Sequence, residues 1–375
     1  MGLIAWLFYT WVFRRDPGQD WMVFYTAARA YYDHDLPLIF DGQALTAALN
    51  ERFADWLGFT LNMHPWVYPP TFLLLFLPFG ALPPSLSLSV FLLIGFVAVL
   101  VAGFMVTRPG WPRAVVAFSL TLCPAVPFNV MTGQNAFYTS ALLVVGFGLL
   151  GRYPLMGGAL LGVVTYKPQF WLMVPVALLA ARQWRAFAAA IASALSLVLA
   201  SLLVFGPDIF RAWIALMTGA DQAYSQWLVN GRLNGLSVFA CVSILGAPAA
   251  VASVMQWLAV LAAAAIVWFT YHRPGNPALR LPILLTATML AAPHASASDA
   301  VLLALATSFY ITAPRPDPLP GVRLMLAATV WICPLFNPPS LFWTGCLTPL
   351  LLLLFLGAMV TEMREAPASR AAVAA

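Results

Sequence analysis

Residues 85–107, 186–205 and 249–271 pass without a single charged side chain and are dominated by apolar residues. Each is long enough for the roughly 20 residues that a helix needs to cross bilayer hydrocarbon. Only 8% of the chain is charged and 62% is hydrophobic, whereas a soluble domain carries about 25% charged residues. A soluble core would leave much of this apolar surface facing water, so the bilayer is the solvent that fits. The 14 Trp and 11 Tyr suit two membrane interfaces, where an amphipathic ring has one apolar and one wet end.

Further apolar stretches at 114–130, 134–150, 155–166, 169–181, 281–292, 299–313, 321–335 and 340–360, with the run Gly2–Phe13, bring the expectation to about twelve transmembrane helices. Several are short and punctuated by Pro or Gly. The pair 155–166 and 169–181 reads as a broken helix, which survives at membrane depth only where protein or a cavity satisfies the freed backbone groups. Gly2–Phe13 lacks a basic n-region and a cleavage site, so it reads as a first helix and not a signal peptide. The expected organisation is one all-α polytopic domain over residues 1–362, with a disordered Ala-rich tail at 363–375.

The formal net charge of +5 comes from basic residues set singly in short loops, which points to topology and not to nucleic acid. With a cytoplasmic N-terminus, eleven of the 18 Lys and Arg residues face the cytoplasm, mostly in the short loops where the positive-inside rule applies. This orientation requires 69–82 to lie in the interface without crossing. Two long loops then share the outer face, 14–68 and 206–234. The four cysteines form no C-x-x-C pair, so neither a metal site nor a disulfide framework is indicated. A bacterial plasma membrane, with the site facing the periplasm or cell exterior, is the expected location.

Within the first outer loop, Trp21, Tyr25, Ala28 and Tyr32 recur at helical spacing, as do Leu45, Leu49, Phe53 and Trp56. Both segments read as interfacial helices with aromatic faces towards lipid, either capping the bundle or walling a lipid-facing active site. This loop also gathers Asp16, Asp20, Asp33, Asp35 and Asp41, five of the 13 acidic residues. Asp20 stands where a helix opens, as an N-cap, a catalytic base, or both. Lys167 is the only lysine. Between two apolar runs it serves either as a point charge for a phosphate or as a snorkelling helix end. Gly133-Gln134-Asn135 makes another outer turn. His294 and Asp299 flank a third, where they either orient a substrate and share a proton or form a satisfied turn pair. No phosphate loop or dinucleotide fingerprint is present, which fits a donor already held in the membrane.

These residues carry a resemblance. The chain resembles the membrane glycosyltransferases of family 87, which use polyprenyl-phosphate sugars and have the GT-C fold, over roughly 15 to 310. It rests on Asp20 with Phe24-Tyr25 and Ala27-Ala28-Arg29-Ala30; on Tyr68-Pro69-Pro70 with Pro78; on Gly133-Gln134-Asn135; and on Gly157-Gly158-Ala159-Leu160-Leu161-Gly162 leading to Lys167-Pro168-Gln169. Asn234-Gly235-Leu236-Ser237 and Ala292-Pro293-His294 through Asp299 add weaker pieces.

The resemblance implies inverting transfer of a sugar, typically mannose, from a polyprenyl phosphate to a lipid or glycan acceptor on the non-cytoplasmic face. It implies Asp20 as general base, and Lys167, Arg211 and Arg232 as cations for the donor phosphate. Tyr25, Tyr68, Gln134, Asn135, Gln169 and His294 are the substrate-binding candidates. No cofactor is implied. Asp33-His34-Asp35 resembles the D-x-D of metal-dependent relatives but reads as surface following the helix, so metal dependence stays open with a metal-free reaction favoured. The insert Asn62-Met63-His64-Pro65-Trp66 departs from the family pattern, and His64 either touches substrate or sits at the interface. The alternative is a transporter or flippase of lipid-linked sugars, which predicts inverted repeats and polar residues at the bilayer midplane.

Overall fold

A computed structural model describes residues 18–218, 235–336 and 347–373, with side chains to 335 and 363 in the last two segments. The apolar run Gly2–Phe13, Arg232, Asn234 and the greater part of the second outer loop lie outside these residues. Among the described residues all regular structure is helical.

Residues 18–80 build a compact aromatic unit. α1 (Gln19–Tyr32) packs on both α2 (Gly42–Arg52) and α3 (Pro70–Gly80). α2 begins where the Asp41 carboxylate accepts hydrogen bonds from the N–H groups of Gln43 and Ala44, at 3.1 and 2.9 Å, which satisfies donors that a helix start leaves open. α3 opens on Pro70, whose missing N–H costs nothing at a first helical position. Gly80 lets α3 touch α1, since a Cβ there would collide with Ala28.

Interfacial helices with one lipid-facing side were the expectation, and α1 corrects it. Every side chain from Trp21 to Ala28 is at most 4% exposed. Protein rings cover both flanks. Phe24 meets Trp66, Tyr68, Phe72 and Phe76 edge-on at centroid distances of 4.9–6.0 Å, a favoured aromatic geometry. Trp21 and Tyr25 pack against Phe53 at 5.7 and 5.9 Å. The same helical spacing therefore serves a protein core.

The bundle follows with α4 (Pro84–Val106), α5 (Trp111–Leu122), α6 (Ala125–Thr132), α7 (Ala136–Leu149), α8 (Pro154–Val163), α9 (Trp184–Phe205), α10 (Asp208–Met217), α11 (Ala249–His272) and α12 (Arg280–Ala291). Three of these, α4, α9 and α11, are long and apolar enough to cross a membrane singly. α5 and α6 make a fourth if taken as one span bent by 49°, at Pro124, which cannot continue the ladder of α5. Among the described residues the other expected spans coincide with apolar helices of 10–17 residues, shorter than the roughly 20 residues of a single crossing. The last helix, Leu347–Val373, carries helical structure into the stretch expected to be a disordered tail.

Two local features position the polar groups described next. α8 lies against α9 through Gly158 and Gly162, where any Cβ would strike the carbonyls of Ala186 and Ala190. After α8 and one 3-10 turn, the chain leaves helical geometry at Lys167 (φ −126°, ψ 75°) ahead of Pro168. A residue before proline is pushed out of the α region by the ring, so the expected break between 155–166 and 169–181 falls at the lysine.

Candidate active site

The start of α1 is anchored to the end of α6, and this contact assembles the site. The N–H of Gly18 donates to the Met131 carbonyl at 2.5 Å. Gly18 itself is the residue preceding the helix, at φ 101°, a backbone conformation natural to glycine. Asp20 is therefore inside the first turn and makes no side-chain cap, which corrects the N-cap reading. Gly133 closes α6 at φ 68°, and a Cβ there would run into Trp21. That close approach sets the next residue, Gln134, beside Asp20.

The Asp20 carboxylate is held on both oxygens. Oδ1 is 2.9 Å from His64 Nε2, and Oδ2 accepts from Gln134 Nε2 at 2.9 Å. The Gln134 amide has only one sensible orientation. Its Oε1 accepts from the Tyr68 hydroxyl at 3.0 Å and from the Asn135 N–H at 3.2 Å. A flipped amide would set N–H against N–H. Burial, followed by the negative charges of Asp299 and Asp20, pushes the Tyr68 phenol well above its usual range, so Tyr68 remains a proton donor. Asp20 and His64 are about a quarter exposed, so the carboxylate is fixed yet reachable.

Asn135 leads from this group to a second one. Its Oδ1 accepts from Lys167 Nζ at 3.2 Å, and Nζ also donates to Asp299 Oδ1 at 2.5 Å. Both side chains of that ion pair are 3% exposed. Asp299 Oδ2 accepts from the backbone N–H and hydroxyl of Ser296, each at 3.0 Å. The Phe170 ring lies 4.8 Å from the ammonium. Lys167 is thus neither a snorkelling side chain nor an open cation. A buried ammonium requires a counter-charge, and Asp299 supplies it. The candidate pairing of Asp299 with His294 gives way to the pairing with Lys167, while His294 is half-buried in the same 292–299 loop.

The structure thus brings together Asp20, Tyr68, Gln134, Asn135 and Lys167. Tyr25 and Arg211 are engaged elsewhere. The Tyr25 hydroxyl donates to the Leu82 carbonyl at 2.9 Å within the aromatic unit, a fold contact. Arg211 is exposed on α10 and paired with Asp208 at 2.7 Å. Gln169 is half-buried two residues past Lys167. Asp33, His34 and Asp35 are exposed, with Asp33 paired to Arg29 and Arg52. Among the described residues no three His, Cys, Asp or Glu side chains cluster to hold a metal ion.

An apolar cavity of about 490 Å³ lies between α3, α4, α7 and α8, lined by Phe72, Phe76, Tyr138, Leu142, Val163 and Tyr166 among others. It adjoins the polar groups through two shared rings. Phe72 stacks on Tyr166 at 5.2 Å and lies 4.6 Å from Tyr68. The Tyr166 hydroxyl shares a 2.7 Å hydrogen bond with Thr139, and Lys167 follows Tyr166 directly.

The family model of glycosyltransferase family 87 matches residues 66–293, more than half of the chain. Tyr68, Gln134, Asn135 and Lys167 fall inside the match, Asp20 and His64 before it, and Asp299 just after it. No curated protein and no solved structure matches the chain.

Proposed function

The chain belongs to glycosyltransferase family 87, and from that membership we propose that it moves a sugar, mannose in our reading, from a polyprenyl phosphate to a lipid or glycan acceptor on the non-cytoplasmic face of the plasma membrane. Family membership favours a transferase over a transporter of lipid-linked sugars. The observation that carries the mechanism is the reachable Asp20 carboxylate, fixed by His64 and Gln134.

A hydroxyl is a poor nucleophile, and a positioned carboxylate raises its reactivity by taking the proton as attack proceeds. In the proposed step the acceptor oxygen bonds to the anomeric carbon from the face opposite the leaving phosphate. The bond from that carbon to the phosphate oxygen breaks, the hydroxyl proton passes to Asp20, and polyprenyl phosphate departs with the electron pair. One displacement inverts the anomeric centre. His64 and Gln134 each occupy one acceptor site on the carboxylate, and each oxygen keeps further lone-pair capacity for the incoming hydroxyl.

A lipid donor is supported by the apolar cavity that shares Phe72 and Tyr166 with the walls of the polar site. Lys167 enters this reading differently from an open phosphate clamp. Already neutralised by Asp299, it steadies Asn135, and His294 is the side chain we place towards the donor phosphate or the acceptor.

The test is transfer of labelled mannose from polyprenyl-phosphate-mannose into extractable lipid or glycan, in membranes carrying wild type or Asp20→Asn at matched expression. Transfer by wild type that disappears in the variant is the expected result. Transfer that survives the substitution removes Asp20 as the base. Absence of transfer in both, with the protein present and folded, rules out this donor.

A further inference from the structure

The contact between His64 and Asp20 assigns a role to a residue that lies outside the matched segment. We propose that His64 is the positioning residue of the transfer, holding the Asp20 carboxylate through its Nε2 hydrogen so that the remaining lone pairs face the acceptor hydroxyl. This rests on the reading of Asp20 as the base.

Three observations carry it. The first is geometric. Nε2 lies 2.9 Å from Oδ1, and beside an ionised carboxylate that nitrogen must bear a hydrogen, because two facing lone pairs repel. Gln134 holds the other oxygen, and one donor on each oxygen fixes the carboxylate plane. A single donor would leave the group free to turn about its Cβ–Cγ bond.

The second is how the chain delivers His64. Residues 58–69 have no helix of their own, yet the segment is pinned repeatedly. Asn50 on α2 brackets Leu61, accepting from its N–H at 2.9 Å and donating to its carbonyl at 3.0 Å. The N–H of His64 donates to the Thr46 hydroxyl, one turn earlier on α2, at 2.9 Å. Trp66, 1% exposed, donates its indole N–H to the Tyr68 carbonyl at 2.6 Å. Gly42 on α2 leaves room for Met63 and Pro65, which a Cβ would displace. An irregular segment held this closely sets the position of its side chains as firmly as a helix would, which positioning at a catalytic group requires.

The third is exposure. His64 and Asp20 are open to about the same degree, 22% and 24%. The histidine is therefore open to solvent beside the carboxylate that an acceptor must reach.

The experiment compares His64→Gln, His64→Asn and His64→Ala in the full chain. The amide nitrogen of Gln reaches the position of Nε2, whereas that of Asn reaches only the position of Nδ1. We expect His64→Ala and His64→Asn to lower kcat on the order of 10–100-fold with donor KM little changed, as loss of positioning alone does. His64→Gln should restore most of kcat, all three should melt near wild type, and His64→Ala should cost little further in an Asp20→Asn background. Equal kcat for all variants, or Gln no better than Asn, overturns the proposal while leaving Asp20 as the base. A second measurement needs no donor: with four histidines in the chain, nitrogen resonances of histidine-labelled protein are resolvable. Asp20→Asn must shift one Nε2 signal, the one lost in His64→Gln. If no signal moves, the contact is absent and the proposal fails, whatever sugar the enzyme transfers.

Discussion

Lys167 and Asp299, 132 positions apart in the chain, meet at 2.5 Å in a site where both side chains are 3% exposed. The lysine sits at the break after α8, and the aspartate sits in the loop after α12. Their charges cancel inside the protein, and Asn135 and Ser296 take up further hydrogen-bonding capacity. The pair therefore ties three parts of the bundle together and is linked through Asn135 and Gln134 to the carboxylate of Asp20.

Removing one member of a buried ion pair leaves the other charged, buried and alone, which costs about 3–5 kcal/mol. Asp299→Asn and Lys167→Met should each lower the melting temperature in detergent markedly. The double variant Lys167→Met with Asp299→Leu should recover much of that loss, since no charge is stranded, yet remain poor in transfer because Asn135 loses its donor. A double variant with wild-type transfer would make the pair purely a matter of folding.

Tyr68 and Gln134 act on Asp20 in series. Tyr68→Phe removes one of the two donors that orient the Gln134 amide, and about tenfold lower kcat at similar KM is expected from the loosened chain. Gln134→Glu places a second carboxylate against Asp20, where like charges within a few Å disfavour the ionised base. Its transfer rate should fall close to that of Asp20→Asn. Initial rates at saturating and limiting donor distinguish the two effects.

The raised Tyr68 phenol has a consequence for stability. Its folded value lies above the unfolded value of about 10 because of burial and then the nearby Asp299 and Asp20 charges. Its contribution is complete below the unfolded value and is lost as pH rises towards the folded one, because the unfolded chain alone releases the proton. Melting temperature should fall as pH is taken above about 10, and Tyr68→Phe should fall less steeply. Identical slopes in both proteins would place the alkaline loss elsewhere.

What the sequence disclosed follows from how local each signal is. α4, α9 and α11 were legible because a long run without charge has few other fates than a helix in lipid. The break at Lys167 was legible through Pro168. α1 was not read correctly, because Trp21, Tyr25 and Ala28 at helical spacing describe an apolar face without saying what covers it, and here Phe53, Trp66 and Phe72 do. Asp20 stood out as an ionisable group at a helix opening, but the helix starts one residue earlier, after a glycine whose left-handed backbone leaves no local trace beyond being glycine. The Lys167–Asp299 pair carried one usable clue: a lone lysine among apolar residues needs a buried acid, and only six acids follow it in the chain. Nearness in sequence pointed instead to His294 and Asp299.

Close packing of α8 on α9 gives a stability test away from the site. Gly158→Ala would gain helix propensity, worth up to about 1 kcal/mol. Its new methyl would strike the Ala186 carbonyl and backbone, and backbone does not rotate away as a side chain does. Overpacking of this kind costs about 1–3 kcal/mol, so the clash wins and the variant should melt lower than wild type. Gly151→Ala is the control, since nothing lies within 4 Å of its added methyl, and its melting temperature should be unchanged.

The apolar cavity gives the test of lipid recognition. Ala141 lines it from α7, and Phe72 and Phe76 line it from α3. Ala141→Phe would fill space there without touching Asp20, Gln134 or His64. If the donor's hydrocarbon occupies this cavity, KM for a long-chain polyprenyl-phosphate sugar should rise by roughly tenfold, which corresponds to about 1.4 kcal/mol of lost binding. Transfer from a donor with a chain too short to enter should proceed as in wild type. The comparison separates lipid seating from chemistry, because a variant damaged in its fold would lose transfer from both donors together. Equal effects on long and short donors at an unchanged melting temperature would mean that the hydrocarbon lies elsewhere on the bundle.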